Sequence, residues 1–338
     1  MKALLIGGTG VISESISKLL IEQGHELYLL NRGKREIPAG ANTLIADIND
    51  QVSVAALLAD KSFDVVADFI AYTPDQVERD YKLFAGKTKQ YIFISSASAY
   101  EKPPASPFIN EKTPLVNPFW QYSRDKAACE DYLMDRYNND GFPVTIIRPS
   151  HTYSHRSLPL ALHGKNGSWQ LIKRIQQGKP VLIHGDGTSL WTFTHSRDFA
   201  KAFVGIMNNP AALGEAVQIM SDESLTWNQA YKAMTDALGT ELNALHVSSS
   251  LLVYAGKQHG YDDFEGTLIG DKSNSVVFDT TKLKTLVPGF KAEISYAQGV
   301  KESIEYHLEH PELQRDDPGF DAFCDDVVKV MQTAKDAL

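Results

Sequence analysis

A short apolar run that ends in glycines and then opens into an amphipathic helical pattern restricts this sequence more than any other feature. Residues 3–6 read as a buried parallel strand, continuous and without polar alternation. Gly7, Gly8 and Gly10 follow at once, and Ile12, Ile16, Leu19 and Leu20 then recur on one face of a helix predicted over 10–23. Gly7 allows a tight turn. Gly10 lets backbone amides approach a pyrophosphate at the helix N-terminus, where the dipole favours an anion. Gly7, Thr9, Gly10, Val11 and Ile12 are therefore read as a dinucleotide cradle. Ser13 takes the third glycine position of the spacing, which weakens the motif while still permitting close helix–strand packing.

The next predicted strand, 26–30, ends where such folds read the ribose, about 20 residues beyond the glycines. Asn31 and Arg32 stand there, with no carboxylate. An acidic residue would hold the 2′-hydroxyl of NAD, whereas arginine can pair with the 2′-phosphate of NADP, so the cofactor expectation is NAD(P), leaning to NADP. The bland alternative is that Arg32, Lys34 and Arg35 form a solvated basic loop. After a third strand come Asp47 and Ile48, placed to hydrogen-bond and cover an adenine. After a fourth come Phe69, Ile70 and Ala71, suited to line the cofactor.

The 338 residues suit one large and one smaller unit. Up to about residue 150, strands predicted near 2–6, 26–30, 42–46, 64–68, 90–94 and 143–148 alternate with helices near 10–23, 51–60, 74–86 and 120–137. That alternation implies an α/β fold with a doubly wound parallel sheet. The proline-rich stretch 101–118 reads as a long loop. Further on, 169–177 and 198–208 read as helices and 181–184 as a strand. Thr226 and Gln229 form a capping box for a helix whose apolar face is Trp227, Tyr231, Met234 and Leu238, stopped at Gly239. The last thirty residues read as an acidic helix with little core of its own.

A net charge of −9 argues against a general polyanion binder. Two distant cysteines, Cys129 and Cys324, suggest a reducing compartment, and no metal site is expected from ten scattered histidines. The opening strand leaves no room for a signal peptide, and no apolar run approaches a membrane span, so the expected location is cytoplasmic.

Tyr122 and Lys126 stand four apart at the start of a predicted helix and share a face. A neighbouring ammonium is expected to lower the phenol's pKa toward working pH, letting it exchange a proton with a substrate hydroxyl while hydride moves from the same carbon. The same lysine can reach the nicotinamide ribose. The fifth strand ends in Ser95 and Ser96, and Ser96 is the candidate to orient the reacting oxygen. Ser95 and Ser98 read instead as turn-forming hydroxyls.

With these residues in place, the chain resembles an extended short-chain dehydrogenase/reductase of the NAD-dependent epimerase/dehydratase type. The likeness runs through Gly7 to Gly10, Asp47 with Ile48, Asp64 with Val65 and Val66, Ser95 and Ser96 with Tyr100, and Asn110 with Glu111 before Pro114. It continues through Tyr122 with Lys126, Arg148 and Pro149 with Tyr153, Gly185 to Gly187, His195 with Asp198, and Asp279 with Lys282 and Gly299. The resemblance implies a Rossmann-type domain over 1–150, to which parts of 185–225 return, and a smaller α/β substrate domain with a helical tail over 151–338. It implies catalytic roles for Ser96, Tyr122 and Lys126, and it places Pro149 and His151 beside the nicotinamide. His195 and Asp198 would join the two domains, and a homodimer would form through the helices near 74–86 and 120–137.

Departures from the family bear on the substrate. Where sugar-nucleotide enzymes place an arginine after the Gly185–Gly187 turn, this chain has Trp191, which can stack on a ring but not neutralise a pyrophosphate; Arg197 is the nearby substitute. Ala97 and Ser98 stand where dehydratases carry an acid and a base, which argues against 4,6-dehydration. The turn at Asn31 to Gly33 and the stretch Asp68 to Tyr72 are also similar to a side branch containing chloroplast stem-loop-binding proteins. The leading expectation is an oxidoreductase or epimerase acting at a hydroxyl-bearing carbon of a sugar or sugar-nucleotide. The alternative is a non-catalytic dinucleotide-binding regulator or RNA-associated protein, which the intact triad and the acidic charge disfavour.

Overall fold

In the computed structural model, which describes residues 1–338, the opening strand β1 (Lys2–Ile6) sends Ala3 and Leu5 to one face of a sheet and Leu4 and Ile6 to the other. All four are fully buried, as a central parallel strand covered on both sides requires. It is joined by β2 (Glu26–Asn31), β3 (Asn42–Ile45), β4 (Val65–Asp68), β5 (Tyr91–Ile94) and the strands Val144–Pro149 and Glu215–Ile219. The order across the seven-stranded sheet is 215–219, 144–149, β5, β4, β1, β2, β3, and every pairing is parallel. The winding reverses between β1 and β4, which opens a crevice at their carboxyl ends.

One face is covered by α1 (Ser13–Glu22) and the helix Ser196–Ile206, whose Ile16, Leu20, Phe199 and Phe203 share a core with Ala3 and Leu5. The other carries α2 (Gln51–Leu57), α3 (Pro74–Phe84) and α4 (Gln121–Asp140), which bury Val54, Val77, Cys129 and Leu133. The fold is thus the doubly wound α/β sheet that the alternation predicts. A third core of 36 buried residues lies beyond the carboxyl edge and gathers Trp191, Phe193, Trp227, Tyr231 and Tyr296.

Three expectations need correction. Helix α1 begins at Ser13 and not at residue 10, because the Ser13 hydroxyl accepts from the Gly10 amide at 2.9 Å and donates to the Gly7 carbonyl at 2.7 Å. Those two bonds hold residues 7–12 as a turn. The 101–118 loop is not wholly irregular, since Phe108–Ile109 pairs in parallel with Val277–Phe278. The C-terminal helix Pro318–Asp336 does contribute core: Phe320, Phe323, Cys324 and Val327 recur at helical spacing and are all buried. The capping box at Thr226 forms as expected, with Gln229 N donating to Thr226 Oγ1 at 3.2 Å and Thr226 N donating to Gln229 Oε1 at 2.9 Å.

No helix is long and apolar enough to cross a membrane.

Candidate active site

Two connected cavities lie along the carboxyl ends of the sheet strands. The larger, about 600 Å³, runs from the glycine turn across the ends of β2, β3 and β4. Gly7 has φ +80°, and a Cβ added there would stand 2.6 Å from Ile70 Cγ2, so only glycine fits this turn. The Gly10 amide is taken by Ser13, but the Val11 and Ile12 amides donate to no protein acceptor, and no side chain caps α1. Free donors at an uncapped helix N-terminus suit a phosphate. Asn31 accepts from the Gly33 amide at 2.8 Å, while its buried Nδ2 has no partner. Arg32, Lys34 and Arg35 line the groove, and Arg35 donates to the Thr9 carbonyl at 2.7 Å. Asp47 lines it too, although one of its oxygens already accepts from the Asn49 amide and side chain, each at 3.0 Å. The residues present fit a dinucleotide.

The smaller cavity, about 320 Å³, shares Ile12, Phe69, Tyr72 and Ile94 with the groove. Ser96, Tyr122, Lys126, Pro149 and His151 all line it. Of the residues proposed from sequence to hold the cofactor, Ala71 alone lines neither cavity; it is buried and offers its carbonyl to Lys126. Lys126 Nζ donates to that carbonyl at 2.7 Å and to the Ile94 carbonyl at 2.6 Å, and it sits 4.6 Å over the Tyr72 ring and 5.8 Å over the Tyr122 ring.

This arrangement alters the expected electrostatics. Burial pushes the Tyr122 phenol up to about 12, against which the Ser96 hydroxyl works by hydrogen bonding. Burial pushes Lys126 down to about 8. The ammonium faces carbonyls and rings and makes no hydrogen bond to the phenolic oxygen, so the expected lowering of the phenol is not what this geometry produces. Tyr122 is held as an acid, and Lys126 is the group poised near neutrality. Burial likewise holds His151 well below the ordinary histidine range, as a neutral ring.

The serine turn departs from expectation: Ser96 itself caps it, accepting from the Ser98 amide at 3.2 Å, while Ser95 and Ser98 bond other side chains. Ser98 bonds the Ser96 hydroxyl at 2.9 Å and the Ser123 hydroxyl at 2.8 Å. Ser95 donates to Glu130 Oε1 at 2.5 Å, joining a buried network. In it Glu130 meets Arg148 at 2.6 Å, Arg148 donates to Tyr100 at 3.2 Å, and Tyr100 donates to Gln218 at 2.9 Å. Gln218 in turn donates to the carbonyls of Ile109 and Asp279. His195 and Asp198 hold elements together. The His195 Nδ1 accepts from the Arg197 amide at 3.2 Å, and Asp198 accepts from the amides of Glu293 and Ile294 at 3.0 and 2.8 Å.

Arg197 is not a phosphate ligand here. It is more than half exposed, pairs with Glu302 at 2.7 Å and lines neither cavity, because it sits on the outer side of the helix that follows His195. Trp191 does line the smaller cavity. Sequence reading missed Asp271 and Lys272 on the same wall, and Lys102 buried behind them. An isolated Asp-Lys pair in a polar stretch carries no periodic or motif signal. It also missed the buried cluster in which Arg79 meets Asp80 at 2.8 Å and Asp68 at 3.4 Å while Tyr91 donates to Asp80 at 2.6 Å. There, burial and the Asp80 charge push the Asp68 carboxyl well up.

A family model described as "NAD dependent epimerase/dehydratase family" matches residues 3–219. The chain is 27% identical over 253 residues to the chloroplast stem-loop binding protein of 41 kDa b from Arabidopsis thaliana, a match covering 70% of this chain and 63% of that protein's length. It is 24% identical over 346 residues to a UDP-N-acetyl-alpha-D-glucosaminuronate decarboxylase from Bacillus cytotoxicus, covering 91% and 98% of the two chains. Among solved structures, the UDP-glucuronic acid 4-epimerase from Bacillus cereus, in complex with UDP-glucuronic acid and NAD, superimposes with a TM-score of 0.73 at 19% identity. That match covers 91% of this chain and 99% of the other, a likeness of fold.

Proposed function

We propose, from the premise that this chain belongs to the NAD dependent epimerase/dehydratase family, that it is an NAD(P)-dependent oxidoreductase or epimerase acting at a hydroxyl-bearing carbon of a sugar or sugar-nucleotide. One observation carries the reading: Ser96, Tyr122 and Lys126 line a single cavity that opens into a groove built for a dinucleotide. The dinucleotide would lie along Gly7 to Ile12, Asn31, Arg32, Asp47, Ile48, Phe69 and Ile70, with its nicotinamide end toward Pro149 and His151. When bound, such a dinucleotide would supply a hydride acceptor and donor for the substrate carbon.

The chain's own residues handle the proton. Ser96 orients the substrate oxygen, and Tyr122 gives a proton to it or takes one from it. Lys126, whose ammonium lies 5.8 Å over the Tyr122 ring without bonding its oxygen, acts on the phenolate only through space, as a positive field that grows in value as the anion forms. Phe69, Tyr72 and Trp191 give the cavity an apolar lining. Ala97 and Ser98 hold no carboxyl, so loss of water by an acid–base pair at those positions is not part of the proposal.

The basic wall of Arg32, Lys34 and Arg35, with no carboxylate at the end of β2, supports NADP over NAD. A homodimer through α3 and α4, a cytoplasmic site of action, and a division into 1–150 (with the return of 185–225) and 151–338 complete the reading. The test is Tyr122→Phe: turnover of hydroxyl substrates should be abolished while NAD(P) affinity stays within about twofold, since only the proton-carrying oxygen is removed. Surviving turnover would overturn the mechanism. The likeness to a stem-loop binding protein favours a second reading, association with RNA. Salt-dependent RNA binding without redox turnover on any hydroxyl substrate would put it first.

A further inference from the structure

The π-helical segment Glu265–Lys272 contributes Asp271 and Lys272 to the wall of the smaller cavity, and its glycines let it press onto the start of α4. A Cβ at Gly266 would stand 2.2 Å from Trp120 Cδ1, and one at Gly270 would stand 3.1 Å from Phe119 Cβ. Asn117 staples the segment to the serine turn, donating to the carbonyls of Ser98 and Gly270, each at 2.7 Å. The carbonyl of Lys272 is held by Ser189 Oγ at 3.0 Å and His184 Nε2 at 3.1 Å. Asp271 and Lys272 are thereby fixed on the cavity that holds the catalytic candidates.

Their charges do not balance. Lys272 Nζ lies 3.5 Å from Asp271 Oδ2, and Lys102 Nζ lies 4.0 Å from Asp271 Oδ1. Asp271 is the one carboxylate within ion-pair distance of either lysine. The Lys102 side chain is 1% exposed and the Lys272 side chain 10%. Two buried ammoniums on one carboxylate leave a surplus positive charge where charge is costly to keep unpaired. A donor is left over as well: the buried Nε1 of Trp191, a residue on the same cavity, donates no hydrogen bond, while Asp271 Oδ1 accepts none and is open to a hydroxyl rather than to an anion. Neither lysine lines the dinucleotide groove, so the surplus does not serve the cofactor's phosphates.

We propose that this cavity selects a substrate carrying a compact oxyanion, a carboxylate or a phosphate, close to the reacting hydroxyl, with Lys272 as its cationic partner. The proposal rests on the oxidoreductase reading above and names the substrate class of that same site. The oxyanion supplies the missing negative charge, offers an acceptor to the free Trp191 N–H, and fixes which hydroxyl faces Tyr122. Lys102, packed 5.3 Å over the Trp191 ring and outside the cavity lining, supports the field from behind.

The experiment titrates the NADP-loaded full-length protein with inorganic phosphate and, separately, with glycolate, following the fluorescence of the cavity tryptophans. At least one probe should bind saturably, and which one does separates a phosphate site from a carboxylate site. Lys272→Met should weaken that probe by about tenfold or more, the loss of one charge-assisted bond. Lys272→Arg, which keeps the charge, should stay within about threefold of wild type. If Lys272→Met does not hold cofactor, protection of Lys272 in the wild-type protein from an amine-reactive reagent by the same probe replaces it. Saturation by neither probe, equal affinity in Lys272→Met, or no protection would overturn the proposal. Tyr122→Phe separates the two claims. Lys272-dependent probe binding in a wild-type protein without turnover sinks only the oxidoreductase reading, and turnover that depends on Tyr122 beside Lys272-independent binding sinks only this one.

Discussion

Lys126 shows how little a single residue's spacing says about its protonation. Four positions after Tyr122 on a helix, it was placed to meet the phenol, and it does reach the same cavity. Its ammonium nevertheless turns to the carbonyls of Ala71 and Ile94, two acceptors contributed by different strand ends, and burial brings it down to about 8. The half-buried Tyr122 phenol beside it is pushed up to about 12 by desolvation. A phenol that keeps its proton and a lysine that loses its own near pH 8 set the sign of a pH profile. Lys126 is charged below about pH 8 and neutral above, so its support for a forming phenolate disappears as pH rises. In the carbonyl-reducing direction, where Tyr122 must begin protonated, kcat should be level from pH 6 to about 7.5 and fall about tenfold per unit above pH 8. Stopped-flow turnover against pH checks this, and Lys126→Met should be slow throughout with that limb gone. A rate that climbs through pH 8 would contradict the assignment.

The sheet elements were most legible where a short apolar run stands directly before a helix of clear period, as at β1 and β4. β1, β2 and β5 fall within a residue of expectation at each end, and the six expected strands lie in parallel order, whereas the seventh, Glu215–Ile219, was not read as a strand. What remained hidden were the side chains that join elements distant in sequence. Glu130 on α4, Arg148 on the strand 144–149, and Ser95 at the end of β5 form one buried network, and no local pattern relates three residues that only the folded sheet brings together. The Glu130 and Arg148 side chains are 4% and 6% exposed, so removing one charge strands the other. Glu130→Gln should therefore lower stability by about 3 kcal/mol, and pairing Glu130→Leu with Arg148→Met should recover much of that loss, because an apolar replacement leaves no buried charge alone. Urea denaturation of the variants reads both. A single change costing under about 0.5 kcal/mol would mean that the pair is solvated after all.

At the scale of the whole molecule, the join between the sheet and the third core was visible only as the motif residues His195 and Asp198, and its working parts come from three places in the chain. His195 ends the strand Leu190–His195, accepts from the Arg197 amide at the start of the next helix, and lies against Tyr153 with ring centroids 5.2 Å apart. Gly299 comes so close that an added Cβ would stand 3.0 Å from His195 Cδ2. Burial first, and then the Arg197 charge, bring His195 down to about 4, while burial alone leads in bringing His184 to the same level. A histidine near 4 when folded and near 6.5 when unfolded takes up its proton on unfolding anywhere between those values. Its contribution to stability is therefore complete above about pH 6.5 and is lost as pH falls toward 4, at up to ~1.4 kcal/mol per pH unit for each such group. Asp68, pushed the opposite way, contributes with the opposite sign, so a single curve mixes the two. His195→Asn separates them: its amide oxygen can still accept from the Arg197 amide, but it cannot titrate. Denaturation at pH 7 and at pH 5 should show a fixed cost for the lost ring and a shallower fall in the variant, by about 1 to 2 kcal/mol over those two units. Parallel curves would mean that His195 is as free to protonate in the folded molecule as outside it, and the junction would then owe nothing to its neutral ring.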